Sequence, residues 1–223
     1  MMHLFLAVLL GTWAPNTCTA LLPLDAGRSW TYAGSAVWSV PATGHADSGT
    51  VKWAMTVERA RDVPGGRIGL IRGFVHELAW YQPGTVPRLS ILACRGAELH
   101  LATFADDPAA QRAYDQWSDS LASRAELWLA LPLRAGQRLG QVSPREDTMY
   151  GWLVGIPEAP VTIPDSCPRT AGPRYELTYR SLPDLRIAEW QPGLGVTRFG
   201  YRHHGTPASV DVELVACGQQ EEG

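Results

Sequence analysis

The stretch VKWAMTV, residues 51–57, decides the fold class. Its large apolar residues fall on alternate positions, Val51, Trp53, Met55 and Val57, with smaller or polar residues between them. Successive side chains of a β-strand point to opposite faces of a sheet. The pattern therefore predicts a strand that is buried on one face only.

The same two-residue period recurs along the chain. It is found at residues 30–40, 68–80, 175–179 and 210–214, and Pro-Gly or Gly-Gly pairs separate many of these segments. Short, turn-rich connections are typical of antiparallel strands, because parallel strands need long crossovers. We expect a mainly β fold: an antiparallel curved sheet forming an open barrel or a sandwich, with one amphipathic α-helix.

The helix is predicted within residues 106–123. Asp107 can cap it, Pro108 suits its first position, and most residues from Ala109 to Leu121 are good helix formers. Apolar residues at three- and four-residue steps form one stripe: Ala110, Ala113, Tyr114, Trp117 and Leu121. We expect this helix to pack across the sheet or to plug the open end of a sandwich.

Two short motifs recur at one offset. PLDAG at 23–27 returns as PLRAG at 132–136, and QPG at 82–84 returns at 191–193, both 109 residues later. The shared offset predicts two repeated halves. We place a first β-rich half at 21–105, the helix at 106–123, a second β-rich half at 124–218 and an acidic tail at 219–223.

The N-terminus predicts export. The apolar run LFLAVLL at 4–10 has signal-peptide length, below the roughly 20 residues that span a bilayer, and no other segment is apolar enough to cross one. We expect a signal peptide at 1–20 and a secreted or periplasmic protein. One alternative is a buried N-terminal strand, and another is a lipid on Cys18 that anchors the protein to the envelope.

The cysteines predict at most one internal disulfide. If Cys18 is removed or lipidated, three thiols remain in an oxidising compartment, and one pair can form among Cys94, Cys167 and Cys217. The alternative is three buried, reduced cysteines that act as small apolar residues.

Composition and motifs exclude several functions. The 223 residues include 19 Lys and Arg against 22 Asp and Glu, and 45% are hydrophobic. This balance argues against a disordered chain and against nucleic-acid binding. The chain has no GxSxG motif, and His76-Glu77 lacks a second histidine four residues after the first. We therefore expect no enzymatic activity, no metal and no cofactor.

Tryptophan is the strongest compositional feature, with nine residues. Exposed indoles could form a platform for sugar rings, or buried ones could line a cavity for a lipid-like ligand. The alternative is that they fill a wide core. The candidate ligand-binding residues are Trp30, Trp53, Trp80, Trp117 and Trp190.

Three motifs carry a family resemblance. PLDAGRSWTY at 23–32, PLRAGQ at 132–137 and WQPGLGV at 190–196 resemble elements of a group of exported bacterial proteins and lipoproteins without a characterised function. The resemblance implies export and a β-rich fold, and it implies no reaction. The stretch VTIPDSC at 161–167 departs from the V-P-A-G-x-F element that often precedes a cysteine in that group.

These observations predict an exported, non-enzymatic envelope protein that holds a hydrophobic ligand, with the helix as a lid. Its partner would be a lipid-like small molecule or an envelope component. The alternative is a protein- or wall-interaction module with exposed aromatic side chains. An unrecognised hydrolase is the third hypothesis.

Overall fold

The computed structural model describes residues 18–40, 43–140, 149–158 and 161–219. Two α-helices, α1 (Asp107–Asp115) and α2 (Asp119–Ala122), and two 3-10 turns (Cys18–Ala20 and Val75–Leu78) accompany one sheet. The strands of that sheet are β1 (Arg28–Ser39), β2 (Ala46–Val63), β3 (Gly66–Arg72), β4 (Leu89–Arg95), β5 (Glu98–Thr103), β6 (Glu126–Ala130), β7 (Arg138–Leu139), β8 (Trp152–Gly155), β9 (Tyr175–Arg180), β10 (Asp184–Gln191), β11 (Gly195–His203) and β12 (Ser209–Gln219).

The strands form a nearly closed, barrel-like antiparallel sheet. Its order is β6-β5-β4-β3-β2-β1-β12-β11-β10-β9-β8-β7, so consecutive strands pair throughout except at one place. Strand β12 returns beside β1, and β6 and β7 are left as the two edges of a seam. The predicted fold class, a mainly β antiparallel curved sheet, is confirmed.

Strand β2 shows why the sheet closes on a core. Val51, Trp53, Met55 and Val57 are at most 3% exposed, whereas Lys52 between them is exposed. Tyr32 of β1 lies opposite Trp53 and is itself fully buried. Alternation thus sends one set of side chains into the barrel, where burial of apolar area is the main stabilising contribution.

The helix is shorter than predicted and lies outside the barrel. Asp106, not Asp107, is the N-cap, since its carboxylate accepts a hydrogen bond from the Ala109 N–H at 2.7 Å. Helix α1 ends at Asp115, and the next residue, Gln116, has non-helical backbone angles (φ −103°, ψ 22°). Ala110 and Tyr114 pack on the outer face of β3 and β4, against the buried side chains Ile68, Leu70, Leu89, Ile91 and Ala93. The helix therefore covers that outer face, and the expected lid over a mouth of the barrel is not observed.

One end of the barrel, which we call the disulfide end, is closed by the N-terminal segment. Leu21, Leu22 and Leu24 are at most 1% exposed there, and the Gly193 N–H donates to the Ala20 carbonyl at 2.7 Å. Disulfides join Cys18 to Cys94 and Cys167 to Cys217 at this same end.

The disulfides bear on two expectations about Cys18. The structure joins Cys18 to Cys94, on the N-terminal side of the predicted boundary at residue 20, and a sulfur in this bridge is not free to carry a lipid. Cleavage after residue 20 and lipidation of Cys18 are both incompatible with this bridge, and both stay predictions. Cys18 is fully buried beside Leu21, which explains why it belongs to the folded domain. Among the other three cysteines one bridge forms, Cys167–Cys217, within the predicted limit. The Cys18–Cys94 bridge is additional to that prediction, because Cys18 was expected to be removed or lipidated. Residues 1–17 and the tail from residue 220 lie outside the described ranges.

The two recurring motifs differ in whether their copies occupy matching places in the fold. Gly27 and Gly136 of the two PLxAG motifs share a φ of 81°, and their N–H groups donate to Val57 and Val154 at 2.8 Å. The first QPG follows the turn at Val75–Leu78, between β3 and β4, whereas the second joins β10 to β11. Only the PLxAG pair occupies matching places, and the repeated halves stay a prediction.

Candidate functional site at the polar end

The opposite end of the barrel, which we call the polar end, carries a row of four inward-facing side chains. Trp152, Tyr179, Arg186 and Tyr201 lie on β8, β9, β10 and β11, and each faces the next directly across the sheet. The Trp152 and Tyr179 rings are 5.4 Å apart, and the Arg186 guanidinium lies 5.5 Å from the centre of the Tyr179 ring. Cross-strand neighbours on one face interact in this way, and a guanidinium over an aromatic ring is attracted by its π-face.

The phenols of the row remain hydrogen-bond donors. Burial raises the pKa of Tyr179 and of Tyr201 above that of free tyrosine. The Tyr201 hydroxyl donates to the Asp184 carboxylate at 2.8 Å, which engages that acid.

Aromatic rings bridge the seam at this end. Trp128 of β6 packs against Trp152 of β8 with ring centres 4.9 Å apart and the rings tilted by 47°, and Phe74 packs on Trp128 at 4.9 Å. Both indoles are at least 98% buried. Among the described residues neither indole nitrogen has a well-formed hydrogen bond, and both act on the Glu126 carboxylate. Buried polar groups are normally fully hydrogen-bonded, so this pair marks an unusual place.

Glu126 is the acid that faces these indoles. Its side chain opens onto the surface, yet the surrounding protein removes enough water to raise its pKa. The charge of Arg186 and the indole N–H groups of Trp152 and Trp128 oppose that rise. Desolvation is the largest of these effects because the charged form of a carboxyl loses most when water is excluded.

A cleft of 610 Å³ opens at the seam beside Glu126. Its walls include Tyr150, Trp152, Tyr179, Leu139 and Arg124. Tyr150 has a φ of 61° and its N–H donates to the Arg180 carbonyl at 2.7 Å. A bulky residue in this left-handed region is strained, and such strain gathers at functional sites.

Two ionisable groups in the turn after β3 also belong to this end. Burial, with the charges of Arg186 and Arg88, lowers the pKa of His76 to about 4. Burial raises the pKa of Glu77 to about 7, although its carboxylate accepts a hydrogen bond from the Arg88 N–H at 2.8 Å. His76 is therefore neutral near pH 7 and adds no charge beside Arg186.

Of the five predicted tryptophans, only Trp80 reaches the surface of the polar end. It is 48% exposed with a φ of 62°, and its ring lies 4.4 Å from His203 and 5.8 Å from Tyr201. A second strained aromatic residue thus stands at the same end as Tyr150.

The other four predicted tryptophans lie elsewhere. Trp30 and Trp53 are core residues whose indole N–H groups donate at 2.7 Å to the carbonyls of Leu194 and Gly73. Trp190 is fully buried. Trp117 packs on the outer cluster with α1. None of these four lines the cleft.

Sequence analysis missed the residues that the sheet brings together here. The sequence shows that Trp128 and Trp152 are two of nine tryptophans, but nothing in their spacing predicts that they are neighbours across the seam. The period-two pattern at 175–179 does place Tyr179 on a buried face. Glu126 and Arg186 carry no motif, and only the register of β6 and β10 places them at one end of the barrel.

The described ranges contain no metal-type cluster: no three His, Cys, Asp or Glu side chains come together in a way that could hold an ion. In the same part of the chain, every helix is too short or too polar to cross a membrane.

Comparison with known proteins gives likeness at the level of fold. No protein-family model matches the chain, and no curated protein matches it with significant sequence similarity. A "putative exported protein with YmcC-like fold" from Bacteroides fragilis aligns with 89% of this chain and 99% of its own at 11% identity, with a TM-score of 0.41. A "putative lipoprotein" from Parabacteroides distasonis aligns with 88% of this chain and 97% of its own at 11% identity, with a TM-score of 0.40. At 11% identity each is a likeness of the chain trace alone.

Proposed function

We propose that the protein is an exported, non-catalytic binding protein that takes a small ligand into the cleft at the polar end. The observation that carries the proposal is the 610 Å³ cleft at the seam, where the aromatic walls Tyr150, Trp152 and Tyr179 meet the desolvated acid Glu126. A cleft with apolar walls and a few placed polar groups is typical of a ligand site.

The disulfides support export. Two bridges, Cys18–Cys94 and Cys167–Cys217, tie the described part of the chain. Disulfides persist in oxidising compartments and are rare where cytosolic thiols keep cysteines reduced.

The chemistry of the cleft supports an amphipathic ligand rather than a wholly hydrophobic one. Trp30, Trp53 and Trp190 fill the barrel as core and leave the cleft to other residues. The cleft offers an apolar wall at Leu139 and charged groups at Arg124 and Glu126. Ligand sites typically combine apolar walls with a few placed polar groups in this way.

Native and denaturing mass spectra of the protein purified from its own host test the proposal. We expect a bound mass that leaves on denaturation, and we expect Trp152→Leu to lose it. The matched control is Trp117→Leu on the outer helix cluster, which should keep the bound mass. Equal native and denatured masses for the wild-type protein would contradict the proposal, as would loss of the ligand in both variants.

A second candidate function is an interaction module that uses exposed aromatic side chains. Trp80 and Tyr150 favour it, because both are exposed and both hold a left-handed backbone. Sedimentation with isolated cell walls tests it: the wild-type protein should pellet and Trp80→Asn should stay in solution. Equal pelleting of the two proteins would remove the support that Trp80 gives.

A further inference from the structure

We propose that the ligand carries an anionic acceptor group, a carboxylate, which pairs with Arg186 behind the cleft, while its apolar body lies against Tyr179 and Tyr150. This inference rests on the proposed function and names the class of ligand for the same site.

Arg186 is a charge without a close acid. Among the described residues its guanidinium forms no ion pair, and its buried Nε has no hydrogen-bond partner. The contact it does make is with the face of Tyr179, at 5.5 Å. A half-buried charge is costly unless it is paired, and arginine offers a planar fork of donors that matches a carboxylate.

Two arginines close to β10 show the ordinary arrangement. Arg198 on β11 pairs with Asp211 at 2.8 Å, and Arg174, just before β9, pairs with Glu189 at 3.1 Å. Arg186 sits on β10, the strand that carries Glu189, but on its inner face. Among the described arginines, Arg186 alone has a buried side-chain nitrogen without a hydrogen-bond partner.

The groups around Arg186 leave it no acid of its own. Trp152 and Tyr179 line the cleft, and the indole N–H groups of Trp128 and Trp152 act on the Glu126 carboxylate. Guanidinium nitrogens only donate, so Arg186 calls for a group that accepts, such as a carboxylate.

Two acids lie near Arg186 and neither pairs with it. Asp184 already accepts the Tyr201 hydroxyl at 2.8 Å. Glu126 borders the cleft, interacts with the two indole N–H groups and feels the charge of Arg186, but it lies beyond ion-pair distance of that guanidinium. Its negative charge would repel a bound carboxylate. Replacing Glu126 with glutamine should therefore strengthen binding of an anion, whereas replacing Arg186 should weaken it.

A matched pair of fluorescent probes separates charge from apolar contact. 1-Anilinonaphthalene-8-sulfonate carries an anionic group on the same body as neutral N-phenyl-1-naphthylamine. Both would be titrated against the wild-type protein, Arg186→Met, Glu126→Gln and the control Arg202→Met, which alters an exposed arginine on the outer face of β11. Thermal unfolding by circular dichroism would confirm that each variant is folded.

We expect Arg186→Met to weaken the anionic probe by about tenfold or more, the usual effect of losing a charged hydrogen bond, and to leave the neutral probe within about twofold. Glu126→Gln should tighten the anionic probe, Arg202→Met should change neither, and decanoate should displace the anionic probe where 1-decanol does not.

Equal weakening of both probes by Arg186→Met, or an equal effect of Arg202→Met, would overturn the inference. Weaker binding of the anionic probe to Glu126→Gln would also overturn it and would indicate a cationic ligand. If both probes bind the wild-type protein equally, the anionic class is wrong while a binding cleft stands. If neither probe binds at the cleft, the proposed function itself fails.

Discussion

The two ends of the barrel are built from the same strands but differ in how the chain closes them. At the disulfide end, Leu21, Leu22 and Leu24 fill the interior, and two cross-links tie the segments around them. At the polar end, the same sheet presents the buried, unpartnered Nε of Arg186 behind a 610 Å³ cleft. One end is thus closed by the chain, and the other is open beside an unpaired charge. The difference indicates that stability is concentrated at the first end and ligand binding at the second, because an unpaired charge lowers stability and is retained where function uses it.

The largest expected effect comes from removing the first cross-link. Cys18 and Cys94 are 76 residues apart in sequence. Replacing both with alanine should lower the free energy of unfolding by about 4 kcal/mol, because the unfolded chain regains the entropy of an open loop of that size. Urea unfolding under non-reducing conditions would measure it, and binding of the anionic probe should remain. A loss under about 1 kcal/mol would contradict a disulfide end that stabilises the fold.

A matched pair of leucines compares the ends directly. Leu22→Ala should cost about 3 kcal/mol, because Leu22 is fully enclosed and leaves a cavity. Leu139→Ala should cost only about 1 kcal/mol, because Leu139 borders a cleft that water can enter. Equal costs in urea unfolding would show that the two ends are packed alike.

The free energy of unfolding should depend on pH through two groups at the polar end, His76 and Glu77. The unfolded chain protonates His76 below pH 6.5, whereas the folded chain holds it neutral down to about pH 4. Stability contributed by His76 is therefore lost as the pH falls through this window. Glu77 works in the opposite direction: its folded pKa is about 7 against an ordinary 4.5, so stability is lost as the pH rises through that window.

Single variants separate the two titrations. In Glu77→Gln, stability should rise by about 2 to 3 kcal/mol from pH 4 to pH 6.5, since Glu77 no longer opposes His76. In His76→Phe, stability should fall by a similar amount from pH 4.5 to pH 7. The wild-type protein should vary less than either variant between pH 4.5 and pH 6.5. Identical pH profiles for all three proteins in urea unfolding would refute the assignment of these shifts to His76 and Glu77.

The smallest expected effect concerns the strained surface aromatic Trp80. Asparagine tolerates a φ of 62° better than tryptophan does, so Trp80→Asn relieves strain while it loses the contacts with His203 and Tyr201. The two effects should nearly cancel, and the free energy of unfolding should change by less than about 1 kcal/mol. A cost of several kcal/mol would mean that Trp80 serves the core of the polar end rather than its surface.

The disulfide end and the polar end also differ in how far the sequence predicts them. Period-two patterning predicted strand β2 and its buried face, because alternation follows from the geometry of a single strand. The row at the polar end depends on the register of four strands, which no local pattern encodes. The Cys18–Cys94 bridge is not predicted for a different reason: an apolar run before Cys18 is typical of a cleaved signal segment and gives no sign that Cys18 is buried. Helix α1 begins almost where capping chemistry places it, but it ends at Asp115, whereas the apolar stripe that predicted it runs on to Leu121.

Hydrogen–deuterium exchange with and without the anionic probe tests the central claim most directly. The account predicts that a saturating probe slows exchange in β6, β8 and β9, the strands that supply Glu126, Trp152 and Tyr179 to the cleft, and leaves residues 18–24 unchanged. Slower exchange around Leu22, with none at the seam, would place the ligand at the disulfide end and contradict the division of roles between the two ends.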